Sequence, residues 1–131
     1  MDSDRSALVA AMPFATALGI EVLSAGPDEV VGRMAWAAER CTVGSTTHGG
    51  ALMAFADTLG ALCAFLNLPE GAGTSTIESK TNFFRALSQG NVTATTTPLH
   101  VGRTTIVVQS DLRNDDGKRL ALVTQTQAVL R

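Results

Sequence analysis

The longest apolar stretch of the chain covers residues 49–68, and its hydrophobic positions do not keep to one stripe. Ala, Leu, Met, Phe, Gly and Cys occupy nearly every direction around a helix drawn through it, which is typical of a helix buried on all sides. The stretch is also long enough to span a membrane. An acid near its middle, two glycines at its start and strand-like flanks favour a helix inside a soluble domain.

The hydrophobic period changes to two on both sides of this stretch, which predicts β-strands. Two strands precede the helix and four follow it, at residues 20–23, 29–36, 75–84, 91–101, 104–113 and 118–130. A short N-terminal helix over residues 4–18, divided at Pro13, completes the pattern. This order predicts a single α+β domain over residues 1–131, with an antiparallel sheet wrapped around one long central helix.

The alternation of residues predicts the faces of two strands. In the strand at 75–84, Ile77 and Phe83 are expected on the core face. In the strand at 118–130, the residues that share one parity are Leu120, Leu122, Ala128 and Leu130.

Asp57 is the only Asp, Glu, Lys or Arg between Arg40 and Glu70. A carboxylate placed in apolar surroundings without a partner destabilises a fold, so a specific use is expected. Two interpretations stay open. Asp57 bonds Thr58 or a backbone amide and fixes packing, or it is a general base or nucleophile whose acidity is set by its surroundings.

Gly49 and Gly50 begin the same helix and follow His48. The start of a helix has unpaired backbone N–H groups and a positive partial charge. Glycines let a substrate carbonyl approach these groups closely, which makes an oxyanion site. Thr46, Thr47 or His48 are alternative candidates to cap the helix.

The spacing of these groups predicts a dimer. Asp57 lies eight residues beyond Gly49, roughly 12 Å along the axis at about 1.5 Å per residue. One reacting carbonyl therefore cannot contact both groups of the same helix. If both act on one bond, Asp57 must come from a second copy of the helix running antiparallel, as a two-fold homodimer supplies.

Composition limits the classes of partner. A net charge of −2 argues against a nucleic-acid binder that works through a basic field. A hydrophobic share of 45% favours an oligomer. Cys41 and Cys63 indicate no disulfide framework, and His100 has no second His or Cys cluster with which to bind a metal. The N-terminal residues resemble no signal peptide, so we expect a cytoplasmic protein without a membrane partner.

Several short motifs are shared with a known family. They are Met12-Pro13-Phe14 to Leu18-Gly19-Ile20, His48-Gly49-Gly50 with Asp57 nine residues after the His, Thr81-Asn82-Phe83-Phe84-Arg85, Gly102-Arg103 and Gly117-Lys118. With these motifs, nearly the whole chain resembles the hotdog-fold acyl-CoA thioesterases, and in particular the PaaI-like subfamily.

The resemblance implies hydrolysis of acyl-CoA to a free acid and coenzyme A, with no cofactor beyond the coenzyme A of the substrate. It implies that the Gly49 N–H polarises the thioester carbonyl and that His48 helps to orient the site. Asp57 of the facing subunit activates water or attacks the carbonyl, and Thr76 occupies the place of a water-positioning Ser or Thr. Contacts to the substrate or its CoA part are implied for Thr42, Gly50, Phe84, Arg85 and Arg103.

Some of these roles have plainer alternatives. Arg85 and Arg103 are also typical of solvated surface charges, and Thr76 of an ordinary strand residue. Many family members have Asn six residues before the His, where this chain has Thr42, and Pro after the Arg, where it has Ala86. Hydratase or dehydratase chemistry on acyl thioesters and a non-catalytic acyl-CoA-binding protein stay open as alternatives. The dimer is expected to be obligatory, and the family implies a homotetramer; the sequence does not determine the acyl group.

Overall fold

The structure, a computed structural model, describes the backbone of residues 2–131 and the side chains from residue 5 onward. In chain order the elements are α1 (Asp2–Ala10), α2 (Pro13–Ala17), β1 (Glu21–Ala25), β2 (Val30–Ala35), a 3-10 turn (Ala38–Arg40), α3 (Gly49–Phe65), β3 (Gly73–Phe83), β4 (Asn91–Val101), β5 (Thr105–Arg113) and β6 (Arg119–Leu130). All six predicted strands are therefore confirmed. The N-terminal helix is divided at Pro13, which takes the first position of α2, where its missing N–H is tolerated.

The six strands form one antiparallel sheet in the order β1-β2-β4-β5-β6-β3. The connection from β2 to β3 carries α3 across one face of the sheet, and α3 contacts β2, β3, β4, β5 and β6. The predicted sheet around one central helix is confirmed. This order leaves β3 at one edge of the sheet, with β6 as its neighbour.

The central helix is shorter and less enclosed than its sequence predicts. It ends at Phe65, and the Asn67 side chain beyond it donates to the Cys63 carbonyl oxygen at 2.9 Å and so satisfies one of its last carbonyls. The side of the helix toward the sheet is fully buried, whereas the other side exposes Gly50, Met53, Asp57 and Phe65. The prediction of burial on all sides is thus wrong for a single protomer, since the sheet covers only one face.

A bulge in β3 changes which residues face α3. Pairing with β6 shifts register between Thr76 and Glu78, so Ile77 is an extra residue on this strand. Ile77 is 63% exposed, and its prediction as a core residue is wrong. Phe83 is half exposed but lies over the start of α3, as described below.

A second bulge changes the faces of β6. Leu112 pairs with Ala121 but Arg113 pairs with Arg119, so Leu120 is an extra residue. Leu120 and Ala121 are both buried, and the odd-numbered residues face the core beyond this point. The buried residues are therefore Val123, Gln125 and Gln127, rather than the set Leu122, Ala128 and Leu130 that shares a parity with Leu120.

Cys63 is fully buried in the core, as a small apolar residue of α3. Burial raises the pKa of its thiol to about 11, so it stays protonated at neutral pH.

Within the described residues, no helix combines the length and the apolar character needed to cross a membrane.

Candidate active site

The loop before α3 folds back on itself and fixes where the helix starts. Cys41 and Thr47 form an isolated antiparallel bridge, and the His48 N–H donates to the Arg40 carbonyl oxygen at 2.8 Å. Thr42 lies exposed within this loop. These backbone contacts close the loop into a short hairpin. The hairpin holds His48 directly before the first turn of α3.

His48 caps the helix with its own side chain. Its Nδ1 accepts a hydrogen bond from the Gly50 N–H at 2.8 Å, so that N–H is already occupied. A Cβ at Gly50 would lie 2.8 Å from the same Nδ1, so a larger residue there would displace the capping side chain. In neutral His48 the proton is then on Nε2, the nitrogen that the cap does not use.

The Gly49 N–H is the free donor at the start of α3. Among the described residues none accepts a hydrogen bond from it. A Cβ at Gly49 would lie 3.2 Å from the Phe83 ring, so glycine lets this ring pack close to the helix start. The positive end of α3 therefore offers one unpaired N–H beside an aromatic wall.

Open clefts flank this helix start on two sides. One, of about 320 Å³, brings together three of the predicted site residues, Gly49, Phe84 and Arg85, and is completed by Thr47, Leu52, Phe83 and Ala86. The other has a similar volume of about 320 Å³ and is lined by Phe14, Leu18, Glu39, Arg40, Cys41, His48, Gly50 and Ala51. Both volumes fall at the lower end of the range for small-molecule sites.

Asp57 lies on the exposed side of α3 but its carboxylate is held in place. Oδ1 accepts from the Thr76 hydroxyl at 3.2 Å and from the Gln125 side-chain amide at 2.9 Å. The Thr58 hydroxyl donates to the Ala54 carbonyl oxygen instead, so the interpretation that Thr58 binds Asp57 is wrong. Two uncharged donors thus orient a carboxylate that has no buried surroundings in the single protomer.

A second layer of hydrogen bonds stands behind Thr76. The Gln127 Nε2 donates to the Thr76 Oγ1 at 2.7 Å, while the Thr74 hydroxyl, which is 3.2 Å from the Gln127 Oε1, has its shorter hydrogen bond to the Ala128 carbonyl oxygen at 2.8 Å. The sequence analysis missed both Gln125 and Gln127. The sequence signal for them is two glutamines spaced two residues apart in one strand. Residues with this spacing lie on the same face of a strand, and here that face is the core face.

The two arginines predicted to contact CoA lie far apart in one protomer. The Arg85 N–H donates to the Leu120 carbonyl oxygen near the start of β6, whereas Arg103 precedes Thr104, whose carbonyl oxygen accepts from Val129 near its end. Nine residues of strand separate these points, roughly 30 Å at about 3.3 Å per residue. A single protomer therefore does not bring Arg85 and Arg103 to the same end of a ligand.

Comparison with known proteins identifies the family. A family model described as the thioesterase superfamily matches residues 44–121, more than half of the chain. The chain belongs to this superfamily. The matched region includes the start of α3, Asp57, Thr76 and the residues that line the first cleft.

Individual relatives agree with this assignment. The chain is similar to the proofreading thioesterase EntH of Cronobacter turicensis, at 30% identity over 86% of this chain and 82% of that protein. For the enzyme of the same name from Cronobacter sakazakii, the match is 32% identical over 63% of this chain and 61% of the relative.

Solved structures confirm the predicted hotdog fold. A mutant of a Pseudomonas aeruginosa thioesterase superimposes with a TM-score of 0.91 at 28% identity, covering 96% of this chain and 93% of that one. A Haemophilus influenzae thioesterase gives 0.86 at 30% identity, covering 90% and 82%. The resemblance predicted from the motifs is confirmed at the level of hotdog-fold thioesterases, so hydrolysis of a thioester bond is the chemistry that the site has to perform.

Proposed function

We propose that the protein hydrolyses acyl-CoA thioesters to a free acid and coenzyme A, in a homodimer that has two sites and that pairs further into a homotetramer. One observation carries the proposal: among the described residues, the Gly49 N–H at the start of α3 has no acceptor, and eight residues later the Asp57 carboxylate accepts hydrogen bonds at one oxygen and none at the other. Membership of the thioesterase superfamily supports the choice of a thioester as the bond that reacts.

In the proposed reaction the Gly49 N–H donates to the thioester carbonyl oxygen as that oxygen becomes negative. One such donor lowers the barrier by about 3 kcal/mol. Asp57 either takes a proton from the attacking water or attacks the carbonyl carbon itself. Thiolate is a good leaving group, so no strong general acid is needed at the sulfur. His48 presents its Nε2–H beside this site while Nδ1 caps the helix.

The distance between the two groups requires two subunits. Gly49 and Asp57 lie about 12 Å apart along one rigid helix, as the helical rise of about 1.5 Å per residue dictates. An antiparallel copy of α3 puts the partner's acid beside this subunit's amide and the reverse at the second site.

Two exposed features of the protomer support such a dimer. The edge strand β3 runs over 11 residues with one neighbour, β6, and an unpaired edge of that length is a ready template for a second chain. Met53 and Phe65 lie exposed on the same side of α3 as Asp57. Antiparallel pairing of two β3 edges joins the sheets and covers this apolar side of the helix.

The dimer also accounts for the predicted CoA contacts. Phe84 and Arg85 line the cleft beside Gly49, so we assign them to the CoA chain that leads away from the thioester. Arg103 then comes from the other subunit, since it lies at the opposite end of β6. Gly50 contributes space rather than a donor, because His48 occupies its N–H. Thr42 offers one exposed hydroxyl in the loop that precedes α3.

The test is a panel of short-chain, medium-chain and aryl-acyl CoA esters, followed by thiol release. We expect wild-type turnover on at least one ester and a loss of kcat in Asp57→Asn between about 100- and 10,000-fold. Equal rates for the two proteins would remove Asp57 from the mechanism. Hydration of crotonyl-CoA without thiol release would indicate a hydratase, and tight binding without turnover across the panel a binding protein.

A further inference from the structure

We infer that Gln125 is a positioning residue for Asp57. Its side chain donates a hydrogen bond to the Asp57 Oδ1 from the sheet side of α3, and this leaves Oδ2 as the reacting oxygen. This inference rests on the proposed role of Asp57. Gln125 lies on β6, one strand in from the sheet edge, and is only 1% exposed. Its Nε2 donates to the Asp57 Oδ1 at 2.9 Å, and no other orientation of the amide gives a carboxylate a hydrogen bond.

The second donor to Asp57, the Thr76 hydroxyl, reaches the same oxygen. The Gln127 Nε2 donates to the Thr76 Oγ1 at 2.7 Å, so a lone pair of that oxygen faces Gln127. The Thr76 hydroxyl hydrogen then points to the Asp57 Oδ1. Rotation of the carboxylate would break both bonds together, so one oxygen stays bound while the other has no hydrogen-bond partner among the described residues.

Two features around the Gln125 side chain are unfavourable for the stability of the fold. The Gln125 Oε1 is buried and has no hydrogen-bond partner among the described residues. Gly60 lies in the middle of α3, and a methyl group there would overlap the Gln125 amide. An unpaired buried oxygen and a mid-helix glycine both lower stability. An apolar side chain would fill the space without either penalty, so the useful part of Gln125 is its Nε2.

The test substitutes Gln125→Met, which keeps the length of the side chain and removes the donor. We expect kcat to fall on the order of 10- to 100-fold while KM stays within about twofold, since a hydrogen bond to a charged group is lost at the reacting carboxylate only. The matched control is Gln109→Met. Gln109 is half-buried on β5 and bonds Thr124 instead of Asp57, so its kcat should stay within about twofold of wild type.

A second variant and a second background separate positioning from packing. Gln125→Asn keeps the amide but is one methylene too short to reach Asp57, so it should lose as much kcat as Gln125→Met. In an Asp57→Asn background, adding Gln125→Met should change the residual rate by less than about twofold, because the group on which Gln125 acts is gone.

The outcomes distinguish this inference from the proposed function. If Asp57→Asn retains full activity, the proposed function fails and the role of Gln125 fails with it. If Asp57→Asn is inactive but both Gln125 variants turn over at wild-type rates, the inference alone is overturned. The same holds if Gln125→Met lowers the residual rate of Asp57→Asn by as much as it lowers the wild-type rate, or if Gln109→Met loses as much kcat.

Discussion

Asp57 and Asp111 are both partly open to solvent, but the structure treats the two carboxylates differently. Asp111 on β5 accepts from Arg119 at both oxygens and from Arg113 at Oδ2, over 2.9 to 3.2 Å. Its hydrogen bond with Arg119 is the largest cause that holds the pKa of its carboxyl below the usual value near 3.8; burial opposes this, and the hydrogen bond with Arg113 adds to the lowering. Asp57 has two uncharged donors, both at Oδ1.

The contrast shows what leaves an acid available for reaction. Both oxygens of Asp111 are occupied and its charge is compensated, so it links β5 to the start of β6 and can do little else. Asp57 is fixed in direction by neutral groups, which leave its charge and one oxygen free. Orientation without neutralisation is therefore the property to look for.

The largest expected effect separates the two acids directly. Asp57→Asn should lose between about 100- and 10,000-fold in kcat, whereas Asp111→Asn should keep kcat within about twofold. Steady-state thiol release with the best acyl-CoA ester measures both. Comparable losses in the two variants would show that the contrast in hydrogen bonding has no bearing on catalysis.

The next effect concerns the amide that faces Asp57 in the proposed dimer. Gly49→Pro removes the donor at the first helical position, where proline is well tolerated and the extended His48 ψ of 133° suits a following proline. We expect kcat to fall about 100- to 1,000-fold. Gly49→Ala meets the same Phe83 ring but keeps the N–H, so it should lose far less. A similar loss in both would assign the effect to Phe83 instead.

Mixing the two defective proteins tests whether one site uses both subunits. Dimers reassembled from equal amounts of Asp57→Asn and Gly49→Pro should recover about a quarter of the wild-type activity per subunit, since half of the dimers are mixed and each has one intact site. Each protein refolded alone is the control. Absence of recovery in verified mixed dimers would place both groups in one protomer.

A smaller effect is expected from the uncharged donors themselves. Thr76→Val keeps the shape of the side chain and removes the hydroxyl, so kcat should fall about tenfold. Thr76→Ser keeps the hydroxyl and should stay within about threefold of wild type. If Val and Ser behave alike, the Thr76 hydroxyl does not orient the carboxylate.

The smallest effect should appear in stability and only for Asp111. Because its folded pKa is lowered, the charged form adds stability above the unfolded value near 3.8, and this contribution disappears as pH falls through the folded value. Asp111→Asn should lower the melting temperature by about 1–3 °C at pH 7, and the gap from wild type should narrow as the pH is lowered below 3.8. A gap of the same size at pH 7 and at pH 2 would contradict an electrostatic origin.

The sequence was sufficient for the central helix, the six strands and the glycine–acid spacing. The apolar run, the change of period and the single charge at Asp57 are local signals that survive without knowledge of the tertiary structure. The extent of burial was not predictable in the same way. Hydrophobicity around all of α3 does not say which side the sheet covers and which side stays open in one protomer.

Gln125 and Gln127 were missed for a related reason. The faces of β6 depend on the bulge at Leu120, and the position of a bulge is set by pairing with β5 rather than by the composition of the strand. After Val123 the strand alternates Thr and Gln. Both residue types are polar, so the hydrophobic pattern does not indicate which of them faces the core. The polar support of Asp57 therefore became visible only with the register of the sheet.

Placing the amide and the acid on the same rigid rod has a mechanical consequence for the proposed dimer. If one α3 slides along its antiparallel twin, the gap between the Gly49 amide and the partner's carboxylate changes at both ends together and by equal amounts. The distance between amide and carboxylate then increases or decreases equally in the two sites. An acyl group that changes this distance at one site changes it at the other, through translation of the helix pair alone.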